Sequence, residues 1–278
     1  MVRQAALCGV VAGALSVLAL LPVGAAERLL TLASTTSTEN SGLFAHILPK
    51  FEAASGIRVR VVAVGTGQAI RLARNGDADV VLVHHTPSEE GLVADGVGLA
   101  RYDVMFNDFV LVGPAGDPAG VRGLARPSAA LAKIAATGSA FASRGDDSGT
   151  HMAERDLWRG TGVDLEAASG RWYRELGAGM GATLNAAVAM NAYALSDRAS
   201  WIAFANKGEL TVLVEGDPAL RNQYGVVALD PARHPHVAAA ASRAFVAWLL
   251  SATGQAAIAS YRVDGQQLFF PNAGDPDG

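Results

Sequence analysis

The sequence predicts an α/β protein of two lobes joined by two crossings, which together form a clamshell. Strands alternate with helices along the first hundred residues, and this alternation is typical of a mainly parallel sheet with helices on both faces. The alternation changes near Gly98, and a second set of elements follows a Pro/Gly cluster. The chain has 278 residues, of which 50% are hydrophobic and 17% charged, so it can form a core in each lobe.

The first lobe begins with a strand over "RLLTLAST" and a helix over "GLFAHILPKFEAASG", which ends at Gly56. A strand over "IRVRVVAVGT", a helix over "GQAIRLARNG", a strand over "DVVLVH" and a helix over "SEEGLVADG" follow. The segment "RYDVMFNDFVLVGPAGDPAG" is then predicted to be a strand that crosses into the second lobe.

The second lobe is predicted from a helix over "SAALAKIAAT", a strand over "AFASR" and a helix over "HMAERDLWRGT". Helices are also predicted around "WYRELG" and "ATLNAAVAMN", and a strand over "YALSDRASWIAF". "LTVLVEGDP" and "YGVVALDP" are interpreted as the return to the first sheet, and two helices complete the chain. The predicted boundaries are 1–26 for a leader, 27–112 and 206–278 for the first lobe, and 113–205 for the second.

The first 26 residues have the composition of a secretory signal peptide. Arg3 precedes an apolar run from Ala5 to Leu21, and small residues lead to a cleavage site after Ala25 or Ala26. We therefore expect export to the periplasm. The alternative is an uncleaved anchor, because the uncharged run is about long enough to span a bilayer.

Cysteine content and charge exclude several classes of function. The single cysteine, Cys8, lies inside the predicted leader, so the mature chain has no disulfide, zinc-thiolate site or cysteine nucleophile. The net charge is −4 and becomes more negative when Arg3 is removed, which gives no basic surface for nucleic acid.

Three loops rich in hydroxyls and glycines come directly before predicted helices. They are "ASTTSTENSG", "VGTGQ" and "SRGDDSGTH". Ligands of such sheets bind at the carboxyl ends of strands, where helix N-termini offer free N–H groups. Each loop also has a structural interpretation. Hydroxyls before helices are commonly N-caps, "GTG" lacks the third glycine of a dinucleotide motif because Ile70 replaces it, and "RGDD" fits a solvated loop.

A small, fully ionised oxyanion suits these loops, since its oxygens need only donors. Arg144 is the one cation in the three loops and supplies a planar double donor. We expect Asp147 to cap the following helix and Asp146 to orient Arg144 or face solvent. If either carboxylate instead faced the cleft, it could accept the proton of hydrogen phosphate, so a phosphate- or sulfate-type ligand stays open.

The segment "GAGMGATLNAA" is a fourth glycine-rich entry to a helix. It is expected to line the cleft or the hinge, with ordinary capping by Thr183 as the alternative, and Met180 is expected to be a packing residue. The residues expected to line the cleft here are Gly179, Met180, Gly181 and Thr183.

An enzyme is the less favoured hypothesis. Ser148 or Thr150 with His151 and a neighbouring aspartate could form a nucleophile and base, but the chain has no G-x-S-x-G turn. The histidines show no metal-binding spacing and no P-loop is present. We therefore expect no catalytic residues, no metal site and no cofactor, with ATP handled by a partner subunit.

The segments "TTSTENSGLF", "VGTGQAIRLARNGDADVVLVH", "DVMFNDFVLVGP", "SRGDDSGTH", "GMGATLNAA" and "LVEGDPALRNQYGV" together resemble the TupA-type tungstate-binding proteins. The resemblance runs from about Leu30 to about Tyr261. It implies the two-lobed periplasmic binding protein fold (type II) and an extracytoplasmic receptor of a tungstate ABC transporter.

The resemblance also implies the ligand and its contacts. The ligand would be tungstate, with molybdate as a further candidate, and the partners would be the permease and ATPase subunit of the transporter, with the receptor itself a monomer. One departure from the family is that Ser34 replaces the first of three threonines. The implied ligand residues are Thr35, Thr36, Ser37, Thr66, Gly67, Arg144, Ser148, Gly149 and Thr150.

Overall fold

The computed structural model of the chain describes residues 29–263 and 265–274. The predicted leader, residues 1–26, lies outside the described residues. The elements up to the first crossing are β1 Leu29–Thr35, α1 Thr36–Asn40, α2 Leu43–Ser55, β2 Arg58–Val64, α3 Thr66–Asn75, β3 Val80–Val83, α4 Thr86–Ala94 and β4 Gly98–Pro114.

The elements of the second lobe follow β4 directly. They are α5 Pro127–Thr137, β5 Phe141–Ser143, α6 Gly149–Arg159, α7 Leu165–Ala168, β6 Tyr173–Glu175, α8 Met180–Met190, β7 Ala194–Asp197, α9 Arg198–Ala203, β8 Leu210–Val214 and a 3-10 turn Pro218–Leu220. The chain then returns through β9 Arg221–Leu229, α10 Ala239–Leu250, α11 Ala252–Ala259, β10 Arg262–Val263, β11 Gln266–Gln267 and β12 Phe270–Pro271.

The sheet of the first lobe is mixed rather than mainly parallel. Its order is β12-β4-β9-β3-β1-β2. Strands β1, β2 and β3 run parallel, as the alternation of strands and helices predicts. Strands β4 and β9 are antiparallel to each other because one carries the chain out of the lobe and the other brings it back. Strand β9 is also antiparallel to β3, so β4 runs in the direction of β1, β2 and β3, and of the two crossing strands only β9 is reversed.

Strand β4 is 17 residues long and belongs to both lobes. Its segment from Gly98 to Asp108 pairs with β9, and its segment from Phe109 to Pro114 pairs with β7 and β8. The two lobes have separate apolar clusters, with Leu213 and Leu220 in that of the second lobe. We therefore place the return crossing at β9, later than the residue 206 predicted from the sequence.

Two further segments differ from their predicted structure. "WYRELG" contains β6, which pairs in parallel with β5, instead of a helix. Strand β6 has three residues, of which only Tyr173 is buried. It is therefore too short to show an alternating strand pattern in the sequence. The second half of "YALSDRASWIAF" is the helix α9, whose N-cap Asp197 accepts a hydrogen bond from the Ser200 amide at 2.8 Å.

Aromatic packing positions the loop between β5 and α6. Trp158 of α6 packs edge-on against Phe141 of β5 at 5.2 Å between ring centroids, and Phe141 stacks on Tyr173 of β6 at 5.9 Å. All three rings are buried. Edge-to-face and stacked pairs add about 0.5–1.5 kcal/mol each beyond burial, so both ends of this loop are held on a rigid base.

None of the helices in the described part of the chain combines the length and the apolar character that a bilayer crossing requires.

Candidate functional site

The cleft between the lobes contains a cavity of about 630 Å³. The starts of α1, α8 and α9 border it together with Arg144, whereas the predicted residues Thr66 and Gly67 of α3 and the start of α6 are not among the residues that line it. The predicted residues that line it are Thr36 and Ser37 from the first lobe and Arg144, Gly179, Met180 and Gly181 from the second.

The loop after β1 combines a cap with cleft residues. Thr35 is the N-cap of α1, and its hydroxyl lies 3.3 Å from the Thr38 amide and 2.7 Å from the Thr38 hydroxyl. Ser34 is buried and donates to the Leu82 carbonyl at 2.5 Å. Thr36 is exposed and Ser37 half-buried. Thr35 and Ser34 therefore build the loop, while the next two hydroxyls face the cleft.

The loop after β2 touches the other lobe. Its Gly67 amide donates to the Asp147 carbonyl at 3.4 Å. Thr66 begins α3 and is fully buried, and its hydroxyl has no hydrogen-bond partner among the described residues. A buried hydroxyl without a partner costs about 1–3 kcal/mol. The Thr66 hydroxyl is therefore available to donate to a group that enters at this position.

Arg144 is buried at the base of the third loop. Its Nη2 donates to Asp146 Oδ2 at 2.6 Å, as predicted for an aspartate that orients the guanidinium. Its Nε is buried and has no partner in the part of the chain that the structure describes. The ion pair thus fixes one edge of the guanidinium and leaves another donor uncommitted.

The cap of α6 is Ser148, and the prediction that Asp147 caps this helix is wrong. The Ser148 hydroxyl accepts from the His151 amide at 3.2 Å. Asp147 has a left-handed backbone, with φ of 54°, and its side chain is 82% exposed. The left-handed turn points the carboxylate to solvent. Its amide instead donates to His151 Nδ1 at 3.1 Å.

Helix α6 begins against the first lobe. A Cβ added at Gly149 would lie 2.4 Å from His84 Cε1, so only glycine lets the two lobes approach this closely. Thr150 is fully buried and, like Thr66, has a hydroxyl without a hydrogen-bond partner among the described residues. The start of α6 therefore presents a second such hydroxyl at the contact between the lobes.

His84, at the end of β3, was not among the predicted site residues. Its Nδ1 lies 2.9 Å from Asn222 Oδ1, and the Asn222 amide donates to Asn107 at 2.6 Å. This chain of hydrogen bonds places the proton of the neutral ring on Nδ1 and leaves Nε2 as an acceptor, 3.4 Å from Ser37 Oγ. Burial lowers the pKa of His84 to about 4, with Arg144 contributing further, so the ring is neutral at pH 7.

Asp197 is the second residue that the sequence analysis missed. It is the last residue of β7 and the N-cap of α9, and Ala199 and Ser200 of α9 line the cavity. Asp197 is 3% exposed. Burial raises the pKa of its carboxyl, and the positive charge of Arg144 opposes that shift. The segment was interpreted as one strand, which hid the helix start that Asp197 caps. The Ser-Asp pair ahead of "RASW" was the signal that could have identified this cap.

The fourth loop lines the cleft with its first residues only. Gly179 is the N-cap residue of α8, and no side chain accepts a hydrogen bond from the first amides of this helix at that position. Met180 is buried and also borders the cavity. The Thr183 hydroxyl lies 3.3 Å from the Ala178 carbonyl and 3.2 Å from the Gly179 carbonyl, to which it donates. Thr183 is buried and is not among the residues that line the cavity, and its hydroxyl bonds to carbonyls of the preceding turn instead of capping the helix.

The arrangement is suited to binding an anion. Ser148 bonds to the backbone of His151 and not to its ring, so these two side chains do not form a nucleophile and base. Within residues 29–263 and 265–274, no group of three His, Cys, Asp or Glu side chains could hold a metal ion. What the loops share is donors, namely helix N-termini, hydroxyls and one guanidinium.

Comparisons with known proteins agree with this chemistry. A family model described as a PBP superfamily domain matches residues 23–253. The tungstate-binding protein TupA of Peptoclostridium acidaminophilum is 44% identical over 253 residues, which cover 89% of this chain and 87% of the relative.

Two solved structures are similar over most of their length. The tungstate-binding protein TupA from Desulfovibrio alaskensis G20 has a TM-score of 0.79 and 41% identity, covering 88% of this chain and 99% of that one. A tungstate ABC transporter protein from Geobacter sulfurreducens has a TM-score of 0.75 and 44% identity, covering 84% and 99%.

Proposed function

The chain belongs to the PBP superfamily and, within it, to the TupA-type tungstate-binding proteins, and from this premise we propose that it is the tungstate receptor of an ABC transporter. The relatives are transport receptors and not enzymes. The observation that carries the proposal is a set of three buried donors, Thr66 Oγ1, Thr150 Oγ1 and Arg144 Nε, that have no hydrogen-bond partner among residues 29–263 and 265–274.

We propose that the anion lies between the starts of α1, α3 and α6, with Arg144 supplying its charged contact. Hydrogen bonds to charged groups contribute about 1.5–3 kcal/mol each, so several of them reach micromolar or tighter affinity after the costs of ordering. Helix N-termini add favourable dipoles. The proposed ligand residues are Thr35, Thr36, Ser37, Thr66, Gly67, Arg144, Ser148, Gly149 and Thr150.

Two of the proposed ligand residues, Thr35 and Ser148, also cap helices. Thr35 and Ser148 accept hydrogen bonds from the helix amides that they cap. A hydroxyl can accept one bond and donate another, so each can still donate its own proton to the anion. The caps orient these hydroxyls, which reduces the entropy that binding would otherwise cost.

Closure follows from the distribution of donors. Each lobe holds part of the set, so an anion contacts all of them only when the lobes are shut, and its binding energy favours the closed form. We propose that the closed receptor docks on a permease in the periplasm, after export directed by residues 1–26. A partner ATPase would then drive release.

Calorimetric titration tests the proposal. The mature protein should bind one tungstate per chain, and Arg144→Ala should weaken binding by roughly tenfold to several hundredfold, because it removes charge-assisted bonds. Arg159→Ala is the matched control, since Arg159 lies at the other end of α6 with a side chain that is 75% exposed. Unchanged affinity in Arg144→Ala would exclude the proposed site.

Titration with molybdate, sulfate and phosphate tests the ligand itself. Tungstate and molybdate carry the same charge and the same set of acceptors, so the donors described above serve both. Submillimolar binding of phosphate without any response to tungstate would assign the chain to the phosphate-type receptors instead.

A further inference from the structure

Asp197 is a buried carboxyl with one oxygen committed and one free. Its Oδ1 accepts from the Ser200 amide at 2.8 Å. Its Oδ2 is buried and has no hydrogen-bond partner among the described residues. Leaving such an atom unpaired is costly, and the other buried atoms of this kind at the cleft belong to Thr66, Thr150, Arg144 and His151.

Asp197 adjoins the cleft through the helix that it caps. It directly precedes α9, and Ser200 in the first turn of that helix borders the cavity together with Arg144. On β4 its register partner is Phe109, at the point where this strand passes from one lobe to the other. Asp197 therefore lies beside β4, one of the two strands that join the lobes.

Little positive charge is available to neutralise Asp197. The adjacent Arg198 donates to both carboxylate oxygens of Asp108 on β4 and also to Glu215. In the loop before α6, Arg144 is the cation whose charge lowers the pKa of Asp197. The Arg144 guanidinium is already paired with Asp146.

The group that faces Asp197 from β9 is Tyr224. Its phenol is uncharged at pH 7, because burial raises its pKa and the negative charge of Asp197 raises it further. A dianion bound at Arg144 would thus meet Asp197 as a second, poorly compensated negative charge.

We propose that Asp197 is a further ligand of the oxyanion, and that its Oδ2 and one oxygen of the anion share a single proton. This inference rests on the proposed function. Tungstate has no proton near neutral pH, so the carboxylate takes one from solvent: Asp197–COO⁻ with H⁺ and the dianion becomes Asp197–COOH hydrogen-bonded to the dianion. Hydrogen phosphate would bring its own proton, and no uptake would accompany its binding.

The environment favours this proton. Burial raises the pKa of the Asp197 carboxyl in the free protein, with the attraction of Arg144 opposing the shift. An added dianion raises the pKa again by like-charge repulsion. Between the pKa of the free and of the bound state, binding takes up a proton, so tungstate affinity falls as pH rises, by up to about tenfold per pH unit. Below both pKa values, Asp197 is already protonated and its contribution is constant.

Calorimetry in pairs of buffers with different heats of ionisation, at about pH 7 and about pH 8.5, measures this uptake directly. The parent protein should take up to one proton per tungstate and bind more weakly at the higher pH. Asp197→Asn should take up none and keep its affinity across this range, because the amide donates without a proton from solvent and asparagine is also a good N-cap.

The matched control is Asp164→Asn. Asp164 is likewise an N-cap aspartate of the second lobe, accepting from the Ala167 amide at 3.1 Å, but it is exposed and does not border the cavity. It should behave as the parent. Tungstate binding by the parent without proton uptake, or equal uptake in Asp197→Asn, would overturn the inference. Absence of tungstate binding in the parent would instead contradict the proposed function.

Discussion

At the scale of single residues, the fit of Gly149 against His84 predicts a sensitive position. Its backbone is helical, so Gly149→Ala changes only the contact, and the added Cβ would lie 2.4 Å from Cε1 of the ring. Overpacking of this kind costs about 1–3 kcal/mol. Because the clash separates the lobes, we expect tungstate affinity to fall by roughly ten- to hundredfold, as titration calorimetry would measure.

Gly181→Ala is the control for this substitution. Gly181 also lies in the first turn of a helix at the cavity, but a Cβ there meets nothing within 4 Å. Its affinity should stay within about twofold of the parent and its melting temperature should not fall, since alanine favours a helix over glycine. If both variants bound equally well, close approach of His84 and α6 would not be part of binding.

At the scale of elements, α6 contains a buried carboxyl whose ionisation opposes folding. Glu154 accepts from the Tyr173 hydroxyl at 2.7 Å, and this hydroxyl lies 3.0 Å from Ser143, next to Arg144. Burial raises the pKa of Glu154 to about 8 from 4.5. The folded chain therefore holds more protons than the unfolded one between about pH 4.5 and 8, and its free energy of unfolding falls as pH rises through this window.

Glu154→Gln should remove that loss. The amide oxygen can still accept from Tyr173. Between about pH 5 and about pH 8.5, the free energy of unfolding of the parent should therefore fall relative to that of the variant by on the order of a few kcal/mol. Urea denaturation at the two pH values measures the difference. Glu175→Gln, on exposed β6, should follow the parent. A pH profile of Glu154→Gln that matched the parent would mean that Glu154 is ionised at no extra cost.

Elements with strong local signals were predictable, and those that depend on distant contacts were not. Helix α2 ends at Gly56 and α3 at Gly76, both left-handed, as the glycines predict. Strand β6 has no signal of its own because its three residues form a strand only by pairing with β5. The direction of β9 likewise depends on where the chain re-enters the first lobe.

The site shows the same division. Hydroxyls and glycines before helices are visible in the sequence, and so is the single guanidinium. His84 lacks such a pattern, and the sequence around Asp197 signals only a helix cap, since the environment of both comes from Asn222, Tyr224 and the crossing strand β4. Asp146 and Asp147 look equivalent in the sequence, and only the left-handed turn at Asp147 separates their roles.

At the scale of the whole molecule, the strands β4 and β9 are the two crossings that join the lobes. Two polar contacts across the cleft are long: the Gly67 amide lies 3.4 Å from the Asp147 carbonyl, and His85 Nε2 lies 3.6 Å from Asp156 Oδ2. Burial lowers the pKa of His85, which keeps the second contact largely uncharged at pH 7. A bound dianion that engages both lobes should therefore be the main contribution to closure.

Hydrogen exchange measured with and without tungstate tests this coupling. At about one hundred times the dissociation constant, a ligand stabilises its bound form by about 2.7 kcal/mol, so exchange at protected amides should slow by up to about a hundredfold. We expect slowing both at the start of α3 in the first lobe and at the start of α6 in the second, whereas α5 and α10, which contain none of the proposed ligand residues, should change little. Sulfate at equal concentration controls for ionic strength. Protection confined to one lobe would mean that the anion binds to an open half-site, and closure would then need another cause.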